Sequence, residues 1–145
     1  MKKILFPLWV SAALFSADAM KAQTVLFQDN FDSYTDFAIA NVGSWTLTDV
    51  DQLSTYGFQS INFPNGGVAK SFQVFNSTTT TPPMTPTSTS DWTGHSGDKM
   101  MVSFAAVSAP WNNDWLISPQ MTVPEGEGAT LSFFAKSCDS DYGAE

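Results

Sequence analysis

The sequence predicts an all-β fold of the jelly-roll β-sandwich type, and three observations predict it. Short segments rich in Val, Thr, Phe and Trp recur along the chain, each bounded by Gly, Pro, Asn or Asp. No stretch of about ten residues after Ala22 carries the apolar spacing of a helix. The segment Leu131–Ser137 alternates, with Leu131, Phe133 and Ala135 on one face and Ser132, Phe134 and Lys136 on the other, as a strand requires. Short strands at such spacing belong to sandwiches and jelly rolls.

The chain opens on a segment that precedes the fold. Lys2 and Lys3 are followed by an apolar run from Ile4 to Phe15, and then by Ala17-Asp18-Ala19. Twelve apolar residues are too few for a membrane span, which needs about 20. A positive start, an apolar run and small residues at the cleavage positions read as a secretory signal peptide over residues 1–19, with 22 as the alternative end. The predicted product is secreted or displayed at the cell surface. No later segment is apolar enough to span a membrane after that cleavage.

Six strands are predicted beyond the leader: Thr24–Gln28, Ser44–Thr48, Ala69–Phe75, Lys99–Ala106, Asp114–Ile117 and Ala129–Ser137. Between the third and fourth lies a low-complexity stretch, residues 76–90, dominated by Thr, Ser and Pro. Its composition offers no core face, and proline withholds backbone donors. It reads as a long surface loop within one domain, with an O-glycosylated stalk as the alternative. The last residues, Ser137 to Glu145, read as a turn leading into another strand. Residues 20–145 are accordingly expected to be the N-terminal portion of a C-terminally truncated sandwich.

Charge excludes some functions. The chain carries a net charge of −8 and has no arginine. Without residues 1–19, four lysines remain against thirteen acidic residues. Binding along nucleic acid needs a basic surface, so a nucleic-acid partner is not expected. A polybasic membrane contact is equally unsupported. The acidic surplus leaves carboxylates available for a hard cation. Cys138 is the single cysteine, so no intrachain disulfide can form, and one His with one Cys cannot fill a zinc site. No nucleophile elbow, phosphate-cradling glycine loop or pair of differentiated carboxylates appears, so no enzymatic activity is expected.

Several segments, taken in order, carry a family likeness: Phe27-Gln28-Asp29-Asn30-Phe31-Asp32, then Trp45 with Asp49-Val50-Asp51, then Phe72 to Asn76. His95-Ser96-Gly97-Asp98-Lys99, Phe104-Ala105-Ala106 and Asn113 to Pro119 follow. Together they resemble the cleaved-adhesin domains of secreted Bacteroidetes proteins, also described as choice-of-anchor J domains. That family includes haemagglutinin/adhesin modules attached to secreted cysteine peptidases. The resemblance implies a non-catalytic domain that mediates attachment to a host protein, a glycan or another extracellular surface. It also implies bound calcium. The alternative is a carbohydrate-binding module of a secreted glycan-degrading enzyme, or an accessory domain of a secreted peptidase. The sequence departs from the calcium-loop versions of the family, because Asp49-Val50-Asp51-Gln52 lacks their glycine-and-aspartate continuation.

Candidate ligands follow from residue chemistry. Asp29 and Asp32, with Asn30 between them, and Asp49 with Asp51 are the expected metal ligands; ordinary solvated turns are the competing reading. Asp139, Asp141 and Glu145 read as a solvated turn. Trp45 and Trp115 lie in strand patterns and are expected in the core. Trp92 and Trp111 lie in loop contexts, where an exposed ring can stack on a sugar, with Asn112 as a polar neighbour; covering a core edge is the competing role. Asp114 is expected to fix the start of its strand by bonding the local backbone.

Overall fold

In the computed structural model, residues 24–142 are described. The leader and its cleavage positions, together with Glu145, lie outside the described residues. Four strands form two antiparallel pairs: β1 (Thr46–Asp49), β2 (Phe72–Asn76), β3 (Lys99–Ser103) and β4 (Asp114–Ile117). β2 pairs with β3 from Phe72 opposite Ser103 to Asn76 opposite Lys99. β1 pairs with β4 from Thr46 opposite Ile117 to Asp49 opposite Asp114. The inner pair is thus nested, in sequence, within the outer one. Single bridges join the pairs: Ser54 meets Ala69, and Thr55 meets Ala106. The only helical element among the described residues is a 3₁₀ turn at Ser77–Thr79, so the all-β class holds. Two two-stranded sheets do not make a jelly-roll sandwich, and the structure reaches only this coarser description.

β2 is buried because both of its edges are occupied. β3 holds one edge. On the other, Phe37 N–H donates to the Val74 carbonyl at 2.7 Å, and Val74 N–H donates to the Ala38 carbonyl at 2.9 Å. With its backbone satisfied, the strand can bury its side chains without stranding peptide groups, although the Gln73 Oε1 is left buried without a partner among the described residues. Phe75 sits at the centre of an aromatic cluster. It meets Phe37 edge-on at 5.6 Å and Phe63 edge-on at 5.3 Å between centroids. Phe104, Val102 and the flanking Phe58, Met84, Trp92 and Met100 complete the core. Gln73 is buried on the same face of the strand, where its amide donates to the Phe37 and Pro64 carbonyls at 2.9 and 2.8 Å.

Most of the predicted second strand, the second half of the third, the first half of the fourth and the whole of the fifth are present. Two predicted strands are not. Thr24–Gln28 and Ala129–Ser137 form no strand. An alternating pattern supplies two faces but no hydrogen-bond partner, and a strand exists only where a neighbour takes its N–H and C=O groups. Lacking one, the 129–137 segment exposes Leu131, Phe133 and Phe134. It is tethered only by side chains and at its end: Phe134 stacks over His95, Lys136 pairs with Asp91 at 3.0 Å, and Asp91 N–H donates to the Cys138 carbonyl at 2.8 Å.

The Thr/Pro-rich stretch also differs from expectation, since its first half is built into the fold. Asn76 caps the 3₁₀ turn by accepting from Thr78 N–H at 3.0 Å. Ser77 and Thr80 are buried, and Met84 packs on the core. Thr81 exchanges two backbone bonds with Asn62 at 2.8 and 2.9 Å. Threonine can enter a core edge when its hydroxyl finds a local carbonyl, as the Thr80 hydroxyl does at Ser77 and Pro82.

Candidate functional site

The outer ladder places two acidic residues directly opposite each other. Asp49 closes β1 and Asp114 opens β4, and they are register partners. A tight turn follows β1, with Gln52 in the left-handed region at φ 55°. That turn folds Asp51 back so that its carboxylate accepts from Leu53 N–H at 2.8 Å and from Asn113 N–H at 2.5 Å. Asp49 accepts from Gln52 N–H at 2.6 Å. One carboxylate oxygen from each of Asp49, Asp51 and Asp114 then lies within 4.8 Å of the other two.

Like charges directly opposite on a ladder repel. The repulsion falls mostly on Asp114. Burial pushes its carboxyl up, the charges of Asp51 and Asp49 push it further, and Lys70 opposes them, leaving it at about 6. Its Oδ1 is buried and has no hydrogen-bond partner among the described residues. Lys70 forms no direct ion pair with the group among the described residues. It donates to the Thr55 hydroxyl at 2.5 Å and lies 4.8 Å over the Phe104 ring. Burial lowers the Lys70 pKa, against the pull of Asp114.

These donors fit a hard divalent cation. All are carboxylate oxygens, one is orphaned, and a positive ion would remove the mutual repulsion. Calcium takes six to eight oxygens, so three carboxylates leave part of its shell for water or for oxygens of a bound partner. Two of these three residues, Asp49 and Asp51, are visible in the sequence as candidate ligands. Asp114 is not, because its place opposite Asp49 depends on a pairing between segments far apart in the chain. Its expected bond to the local backbone is absent on Oδ1.

Asp29 and Asp32 occupy a different place and do different work. Asp29 accepts from Phe31 N–H at 2.8 Å, from the Tyr34 hydroxyl at 2.5 Å and from Trp45 Nε1 at 2.7 Å. The Tyr34 hydroxyl is held above its ordinary pKa, first by this bond to Asp29 and then by burial and the Asp29 charge. Asp32 reaches across the fold to the start of β3, accepting from Asp98 and Lys99 N–H at 3.0 Å each. It also accepts from the Asn30 side chain at 2.8 Å. Gly97 has φ 152°, and a Cβ there would sit 1.9 Å from the Asp32 carboxylate. The glycine is required because the carboxylate fills that space. These two aspartates tie the first turn to the body of the fold and lie outside the converging trio. Asp139 is likewise committed to its own turn, accepting from Asp141 N–H at 2.9 Å.

The tryptophans separate by environment. Trp92 is half-buried, with its ring stacked on Phe104 at 5.6 Å and 14°. Trp111 is 71% exposed. Asn112 holds the loop that presents Trp111: its side chain accepts from Ala106 N–H at 2.5 Å and donates to the Phe104 carbonyl at 2.8 Å. Trp45 lies against Phe27 and Phe31 in a small satellite cluster. Trp115, expected in the core, is 58% exposed, because no second layer covers the outer face of β4 among the described residues.

Burial raises the pKa of Cys138, which keeps it a thiol rather than a nucleophilic thiolate. Among the described residues, no helix is long and apolar enough to cross a membrane. No protein-family model matches this chain, and neither a curated protein nor a solved structure matches it significantly.

Proposed function

We propose that this chain is a non-catalytic, adhesin-type attachment module of jelly-roll architecture that acts outside the cell. In this reading a leader over residues 1–19 exports it. A divalent cation of the calcium type, held by Asp49, Asp51 and Asp114, takes part in contact with an extracellular glycan or protein. The observation that carries the reading is the convergence of these three carboxylates around the unpartnered Asp114 Oδ1. Trp111, the most exposed tryptophan among the described residues, stands three residues before Asp114 on the loop that delivers it. A cation with open coordination positions accepts hydroxyl or carboxylate oxygens, and an aromatic ring offers a face for a sugar. The ordered likeness to cleaved-adhesin domains supports the same conclusion.

A second reading, a carbohydrate-binding module serving a secreted glycan-degrading enzyme, draws on the exposure of Trp111 alone. An accessory role beside a secreted peptidase is compatible with either. Binding of the chain to arrayed glycans and to immobilised extracellular-matrix proteins separates them. Attachment chemistry at this site predicts binding in calcium that is lost in chelator and lost with Asp114→Asn. Binding that survives chelation and Asp114→Asn but vanishes with Trp111→Ala favours the second reading. Binding unaffected by all three changes overturns both site assignments.

A further inference from the structure

The Thr/Pro-rich stretch carries ten hydroxyls between Ser77 and Ser90, and the fold sorts them. Ser77 and Thr80 are buried. Thr78 donates to the Asn76 side chain at 2.7 Å, and Thr79 donates to Asp36 at 2.7 Å. Thr81 has both backbone groups locked against Asn62. Thr87 turns its hydroxyl inward, accepting from Ser90 N–H at 3.0 Å and from Thr89 N–H at 3.3 Å. Ser90 accepts from Trp92 Nε1 at 2.9 Å, and the Thr89 carbonyl is taken by Ser140 N–H at 2.8 Å.

The hydroxyls of Thr81, Thr85, Ser88 and Thr89 have no partner among the described residues, but the backbones of Thr81 and Thr89 are held, and only Thr85 and Ser88 are free in both respects. Both are exposed, and neither hydroxyl is engaged in the fold. Thr85 lies in a run without regular secondary structure over residues 83–87, and Ser88 lies at the bend that follows. The loop is pinned at both ends, by Met84 in the core and by Ser90 bridged to Asp139. Pro83 and Pro86 keep the intervening backbone extended and prevent it from joining a ladder. A transferase needs this presentation: an outward hydroxyl on an extended backbone that no neighbour holds.

We propose that Thr85 and Ser88 are O-glycosylation acceptors. The co-substrate is a phosphate-activated sugar, nucleotide- or lipid-linked. The Thr85 or Ser88 Oγ attacks the anomeric carbon and a C–O glycosidic bond forms. The bond from that carbon to the phosphate oxygen breaks, the phosphate leaves with the electron pair, and the hydroxyl proton passes to a base of the transferase. Attached sugars would shield the most accessible stretch of this loop, where proteases otherwise cut. The proposal rests on the export reading, because it places the chain in the compartment where surface glycans are added.

The test compares the full chain recovered from its own producing cell with the same chain made in a cytoplasm that lacks protein glycosylation. Intact mass and electron-transfer fragmentation are read together with the N-terminal residue. Sugar increments on Thr85 and Ser88 are expected in the first sample only, and the Thr85→Ala, Ser88→Ala double variant should lose both increments. Its melting temperature in the non-glycosylating host should match wild type, because neither hydroxyl bonds within the fold. Increments confined to any other Ser or Thr of the loop, such as Thr78, Thr79, Thr81 or Thr89, overturn the assignment. An unmodified chain overturns it too, and the N-terminal residue then tells whether export itself stood or fell.

Discussion

Residues 72–106 and residues 119–137 are both supplied with large apolar side chains, yet they meet opposite fates. Phe75 is fully buried, whereas Phe133 is 76% exposed. Hydrophobicity does not separate them, since each is a phenylalanine beside other apolar residues in a segment that reads as a strand. What separates them is the backbone. Phe75 belongs to a strand held on both edges, by β3 and by residues 37–38. Phe133 belongs to a segment that forms no strand. Burying an aromatic ring also buries the peptide groups beside it, and an unpaired buried peptide group costs about 1–3 kcal/mol, much of what the ring would gain. A ladder therefore comes first, and burial follows it.

The largest effect should come from the buried side of this comparison. Phe75→Ala removes the central ring of the aromatic cluster and should cost about 3–5 kcal/mol in urea unfolding. Phe133→Ala should change stability by less than about 0.5 kcal/mol, as an exposed substitution does. Equal losses from the two would show that the 129–137 segment is packed in solution.

The next effect concerns β4, which lies between the two regions. The Asp114 carboxyl stands at about 6 in the fold, against the 3.8 of a free carboxylate. Between those values the folded chain keeps a proton that the unfolded chain has released. Stability from this group therefore falls as pH rises from about 4 to 6, and the full penalty persists above that. Screened by solvent, the penalty is on the order of 1–2 kcal/mol. Without calcium, Asp114→Asn should raise the melting temperature at pH 7.5 and leave it nearly unchanged at pH 4. Calcium should stabilise wild type at pH 7.5 by about 2.7 kcal/mol at a hundredfold excess over Kd, with magnesium doing less. An equal calcium shift in Asp114→Asn would place the ion elsewhere.

A smaller effect tests how the first turn is fastened to the body. Asp32→Ala should cost about 1–2 kcal/mol by freeing the N–H groups of Asp98 and Lys99. Gly97→Ala should cost a similar amount, because the new methyl collides with the Asp32 carboxylate. In the double variant the collision is gone, so the two losses should sum to more than the measured total by about 0.5 kcal/mol or more. Strict additivity would mean that the carboxylate and the glycine do not meet.

The all-β class was legible from composition and punctuation, and so was β4, because Asp114–Ile117 is bounded by Asn on one side and Ser-Pro on the other. Asp49 and Asp51 could be singled out as candidate ligands by type and spacing. Asp29 and Asp32 have equally good spacing, yet the fold commits their oxygens to Trp45, Tyr34 and the start of β3. Spacing describes what a residue can do; its neighbours decide what remains free.

The sequence by itself determined local matters: where turns fall, which segments alternate, and that an acidic, arginine-free surface favours cations over phosphates. Only the tertiary structure decided which alternating segments became strands. It set Asp114 opposite Asp49, buried Thr80 while leaving Thr85 outward, and turned Trp111 to solvent while laying Trp92 on Phe104. The physical reason is common to all of these. Each depends on a partner distant in the chain, and neither hydrogen-bond completion nor charge repulsion is defined until that partner is in place.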